Sequence, residues 1–94
     1  MQTKETYIAK MKLQLDELEV KMHALEAKAK DAKEAAHDKY VEDMAKLREQ
    51  SKLAKAKFDD LVDAGEDKWD NVVVEMEKVR DAFAHSFNYF KSQL

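Results

Sequence analysis

From Thr3 to Ala64 the chain contains neither proline nor glycine, and alanine, lysine, glutamate, leucine and methionine dominate it. These residues lose least on entering a helix. Read as one helix, the stretch is about 90 Å long at ~1.5 Å per residue, too long for the core of a 94-residue globule. The reading is an elongated rod. It forms a single helical unit over 1–94, with a helix over about 3–64, a turn at about 64–67 and a second helix over about 67–92. The expected fold class is all-α: a long and a shorter helix in an α-hairpin, assembling as an antiparallel coiled-coil or helical-bundle dimer.

Composition narrows the alternatives. One glycine, no proline, 39% charged and 9% aromatic residues suit long helices and leave a sheet without its turns. Disorder also favours charge, but 45% apolar residues at regular spacing supply surface to offset the entropy of ordering. Seventeen basic and twenty acidic residues leave a net charge of −3, so no strong field draws a polyanion and nucleic acid is not an expected partner. Cysteine is absent, which removes disulfides and thiolate chemistry. No apolar run follows Lys4 as in a secretory signal, and nowhere do 18 apolar residues follow one another. The expected location is the cytoplasm.

Thr3 suits an N-cap, with Thr6 three residues on. Apolar residues then step by four and three through Met11, Leu15, Leu18, Met22, Leu25, Ala29, Ala32 and Ala36, a heptad seam that Tyr7 extends backwards. A thinner second line runs at Leu13, Val20 and Ala27. Small side chains crowd the middle of the long helix (Ala24, Ala27, Ala29, Ala32, Ala35, Ala36) and let two backbones approach closely. In an antiparallel pair the two-fold axis falls near residue 33. The eight seam residues Met11 to Ala36 are therefore the expected oligomer interface.

Beyond Ala36 the seam stutters through Tyr40, Met44 and Leu47, then resumes at Ser51, Ala54, Phe58 and Leu61. Gly65 suits the left-handed position past a helix end, and Asp67 with Asp70 suits the start of another. Trp69, Val72, Met76, Val79, Phe83, Phe87, Phe90 and Leu94 then share one face. Their bulk fits a core three or four helices thick. With Tyr40, Met44, Leu47, Phe58 and Leu61, those from Trp69 to Phe90 form the expected hairpin core.

A turn at Gly65 places residues whose numbers sum to about 130 opposite one another. That sets Glu75, Glu77 and Asp81 against the basic run of Lys46, Arg48, Lys52, Lys55 and Lys57. Two features oppose the turn. Asp59, Asp60 and Asp63 lie where a helix C-terminus disfavours acids, and the seam stays in phase through Leu61, Gly65, Trp69 and Val72. One uninterrupted helix of about 90 residues is the alternative.

A closing helix of some 27 residues covers the first helix back to about residue 37. Six large residues, Tyr7, Met11, Leu15, Leu18, Met22 and Leu25, are then bare. At ~1.5–3 kcal/mol each they represent about 9–18 kcal/mol, as much as the stability of a typical domain. A second copy would cover them. Folding the long helix in two near residue 33 would give a monomeric three-helix bundle instead, which is disfavoured because Lys28–Tyr40 holds no helix breaker.

Residues for chemistry are sparse. Glu34-Ala-Ala-His37 has the Glu-x-x-His form of di-iron bundles, but both side chains fall away from the seam. His23 and His85 do so too, and Ser51, Ser86 and Ser92 lack the neighbourhood that a nucleophile needs. No catalytic residue, cofactor or metal ligand is expected. The outward Val74 and Tyr89 are candidate partner contacts at most. The functional expectation is a non-enzymatic oligomerisation and protein-interaction module whose partners are a second copy and an unidentified protein. The alternative is an amphipathic protein that lays its Trp69–Phe90 stripe on anionic lipid surfaces.

The opening Met1-Gln2-Thr3-Lys4-Glu5-Thr6-Tyr7-Ile8-Ala9-Lys10-Met11, then Gln14-Leu15-Asp16-Glu17-Leu18 and later Gly65-Glu66-Asp67-Lys68-Trp69, resembles a group of small uncharacterised bacterial coiled-coil proteins. Their pattern is a long Ala/Lys/Glu helix, a Gly-Asp-type break before a tryptophan and a closing amphipathic helix. The resemblance implies a fold and no activity. In composition alone, the alanine-lysine-aspartate middle is also similar to the eleven-residue repeats of desiccation-protective and apolipoprotein helices.

Overall fold

The computed structural model describes residues 3–31 and 34–93, without the side chains of 34–37 and 39. The chain is all-helical, with α1 (Lys4–Lys30), α2 (Glu34–Asp63) and α3 (Trp69–Gln93). Helix packs on helix throughout, and no described helix is long and apolar enough to cross a membrane.

Thr3 opens α1 with an extended backbone (φ −76°, ψ 161°), and its hydroxyl oxygen accepts from the Thr6 N–H at 3.1 Å. That bond satisfies one of the four N–H groups a helix start leaves bare. At the other end the Asp31 N–H donates to the Lys28 carbonyl at 3.2 Å, and Lys28 and Lys30 place positive charge in the last turn.

The expected helix over 3–64 is thus two helices, and they run antiparallel. Glu26 meets Arg48 and Glu19 meets Lys55, pairs whose numbers both sum to 74. α3 then returns along α2, with Lys57 on Glu75 and Tyr40 against Phe90. Parallel to α1, it brings Glu77 to Tyr7 and Arg80 to Gln14. The resulting rod measures 51 × 17 × 17 Å.

The break has an energetic cause rather than a local one. Interrupting a helix forfeits a few backbone hydrogen bonds, each worth ~0.5–1.5 kcal/mol net. Folding back covers Met11, Leu15, Met22, Leu25 and Ala29, and large side chains each gain ~1.5–3 kcal/mol on burial. A short intramolecular closure also avoids the translational and rotational entropy lost when two molecules associate. Burial wins.

The core runs the length of the rod. Its α1 members meet Met44, Leu47, Ala54 and Leu61 of α2 and Met76, Phe83, Phe87 and Phe90 of α3. Tyr7, Leu18, Tyr40, Phe58, Trp69, Val72 and Val79 pack against it half-buried. Ser51 and Ala64 are buried as well.

At the second connection, Gly65 has no positive φ, contrary to its expected left-handed conformation. The Lys68 N–H donates to the Gly65 carbonyl at 3.1 Å, making a right-handed turn that any residue can adopt. α3 starts at Trp69 rather than 67, after the Lys68 carbonyl takes the Val72 N–H at 3.0 Å.

Candidate interaction surface

α1 occupies the groove between α2 and α3, and its inner face carries the residues assigned from sequence to an oligomer interface. Met11, Leu15, Met22, Leu25 and Ala29 are buried within the one chain, and Leu18 is half-buried. The premise that only a second copy can cover them is corrected: the same chain does so once it folds back. Ala32 lies outside the described residues, as does the Ala36 side chain. The hairpin-core residues sit in one core with α1, a three-helix interior of the thickness their bulk calls for, with all three helices supplied by the one chain.

Polar contacts hold α1 in register along its length. At its start the Lys4 ammonium donates to the Ala64 carbonyl and lies 5.1 Å from the centre of the Trp69 ring. Tyr7 meets the same ring edge-on, at 5.7 Å between centres and 81° between planes. The Tyr7 hydroxyl donates to Glu77 Oε1 at 3.0 Å. Burial, followed by this bond and the negative charge of Glu77, pushes the phenol pKa up to about 12. One turn further on, Arg80 donates to Gln14 at 2.9 Å.

On the α2 side, Lys55 donates to Glu19 at 2.6 Å and Arg48 to Glu26 at 2.7 Å. Burial raises the Glu26 pKa, but the hydrogen bond and charge of Arg48, with a smaller contribution from His23, outweigh it and leave the carboxyl below its usual value. His23 is an exposed side chain between Glu19 and Glu26, at 3.9 and 3.6 Å.

Among the described residues, the expected charge pairing between α2 and α3 is realised only at Lys57 and Glu75, 2.7 Å apart. Their mutual hydrogen bond holds the lysine above and the carboxyl below their usual values. Arg48 and Lys55 turn to α1 instead, Glu77 accepts from Tyr7, and Asp81 takes the neighbouring Arg80 at 3.0 Å. Carboxylates lie on both neighbours of α2, Glu19 and Glu26 on α1 and Glu75 on α3, so residue type alone did not fix the choice.

The surface grooves are shallow. One lies between α1 and α2 over Ser51 and Ala54, whose small side chains leave a cleft rimmed by Lys12, Asp16, Glu19 and Lys55. Another lies between α2 and α3 near Asp43 and His85, where Asp43 Oδ2 is buried without a hydrogen-bond partner. Among the described residues no three His, Cys, Asp or Glu side chains converge as metal ligands. The side chains of Glu34 and His37 lie outside the description.

Apolar residues also face outward. Leu13 and Val20, the thinner line read from the sequence, are 61% and 69% exposed, and Val74 and Tyr89 are exposed on α3. The aromatic stripe is turned inward, with Phe83, Phe87 and Phe90 buried and Trp69 half-buried under Lys4 and Tyr7. No family model, curated protein or solved structure matches this chain.

Proposed function

We propose that this protein is a non-enzymatic helical interaction module, built as an α2–α3 hairpin whose groove receives an amphipathic helix. One observation supports the reading above the rest. α1 seats a heptad-spaced apolar face, Met11 to Ala29, in the groove between α2 and α3, which is the helix-in-groove mode of recognition. In this reading two copies form an antiparallel dimer, and the assembly presents its rod surface, with Leu13, Val20, Val74 and Tyr89 exposed, to a further protein partner. A cytoplasmic location and membership of the small bacterial coiled-coil group are parts of the same proposal.

Absolute mass by light scattering, followed over a concentration series, tests it. The expected result is a shift from 10.9 kDa toward twice that mass as concentration rises. A particle of 10.9 kDa at every concentration up to ~1 mM, on the affinity scale where specific association has vanished, overturns the dimer.

A further inference from the structure

We propose that the cleft between α1 and α2 over Ser51 and Ala54 is a binding site for a small molecule, a single phenolic ring that carries an ammonium group. The site is built within one chain and does not depend on the assembly proposed above.

The cleft begins as a gap in the seam. α2 turns Leu47, Ser51, Ala54, Phe58 and Leu61 inward at steps of four and three, and a buried face at that spacing normally carries large apolar residues. Ser51 and Ala54 are small residues on successive turns. Leu15 of α1 and Phe58 do not close over them, and the opening reaches Phe83 of α3. Its volume is about 240 Å³. An apolar cavity of ~150 Å³ holds benzene, so there is room for one ring and a short substituent. Phe58 and Phe83 give that ring aromatic neighbours.

Small residues alone would mean no more than a close approach of two helices. Ser51 adds an independent observation. It is 6% exposed, yet its hydroxyl has no hydrogen-bond partner among the described residues. The hydroxyls of Thr3, Tyr7, Tyr40 and Ser92 each have one. Withdrawing a hydroxyl from water without a partner is unfavourable, and a ligand hydroxyl restores the bond, since serine both donates and accepts. Water is a poorer occupant. An ordered buried water makes about three hydrogen bonds, and the side chains of Leu15, Ala54, Phe58 and Phe83 supply none.

Charge at the rim selects the other end of the ligand. Lys12 is paired with Asp16 at 3.1 Å, and Lys55 with Glu19 at 2.6 Å. Asp59 also lines the cleft and has no ion-pair partner among the described residues. It stands eight residues beyond Ser51 on α2, a rise of about 12 Å. A phenol hydroxyl at Ser51 and an ammonium two carbons beyond the ring suit that separation. The cleft thus combines a buried hydroxyl with one uncompensated negative charge at its exposed end.

Tyramine, titrated into the full chain and followed by amide chemical shifts, tests the site. Saturable shifts are expected around Leu15, Ser51 and Phe83, with a dissociation constant of about 1 mM or below. Ser51→Ala should weaken tyramine by roughly 2–10-fold, as for the loss of one hydrogen bond. Asp59→Asn should weaken tyramine and leave p-cresol, which lacks the ammonium, unchanged. Ser51→Leu fills the cleft and should abolish saturable binding of both while the chain stays helical by circular dichroism. No saturable shift at about 10 mM tyramine, or shifts centred elsewhere, overturn the proposal. Undiminished tyramine binding in both Ser51→Ala and Asp59→Asn overturns it too. None of these outcomes bears on the dimer, which the mass measurement tests separately.

Discussion

The ammonium of Lys4, on the first residue of α1, donates to the carbonyl oxygen of Ala64, sixty positions along the chain. The contact compensates a local fault. The last turn of α2 holds no basic residue, and Asp59, Asp60 and Asp63 sit where the macrodipole is already negative. α1 brings a cation to that end from a distance. Lys4→Met should lower stability by roughly 0.5–2 kcal/mol, read as a lower urea midpoint together with a change in Trp69 emission. Lys4→Arg should retain most of it, and equal losses in both variants would show that the charge plays no part.

The two apolar lines of α1 should respond very differently to truncation. Met11 is 2% exposed and Val20 is 69% exposed. Met11→Ala should cost about 2–5 kcal/mol, whereas Val20→Ala should fall within about ±0.5 kcal/mol. Thermal unfolding by circular dichroism measures both. A larger loss at Val20 than at Met11 would place α1 the other way round.

Gly65 has no left-handed conformation to protect. A methyl group there would approach Asp67 Oδ1 to 3.2 Å, and Asp67 is an exposed side chain free to give way. Gly65→Ala should therefore stabilise the fold by roughly 0.4–1 kcal/mol through the unfolded chain. A loss of stability in a denaturant melt would show that the turn needs glycine after all.

Two clasps of α1 give the protein a pH dependence at opposite ends of the scale. Tyr7 has its pKa raised from 10.0 to about 12, so its contribution is complete below 10 and disappears as pH rises through 12. Ultraviolet titration should show one of the three tyrosines ionising last, and Tyr7→Phe should remove that step.

At the acid end, the Glu26 carboxyl lies below its ordinary 4.5. Its contribution is present above 4.5 and is lost as pH falls through the lowered value. Glu26→Gln should flatten part of the acid limb of the melting temperature against pH. An unaltered limb would show that the Arg48 contact contributes nothing to folding.

Much of this arrangement is legible in the residues themselves. Alanine, lysine, glutamate and leucine without proline make helix the local outcome almost everywhere, and steps of three and four mark the faces that become the core. Facing numbers that sum to about 130 set Glu75 against the basic run that includes Lys57, its partner in the structure, because a short turn fixes register over the residues nearest to it. Only the tertiary structure decided that α1 ends at Lys30 and that Met11, Leu15, Met22 and Leu25 are covered from within. It also decided that Arg48 and Lys55 pair with α1 rather than α3. No residue between Lys28 and Tyr40 carries that information, since the break follows from apolar surface distributed over the whole chain, a sum that local propensity does not contain.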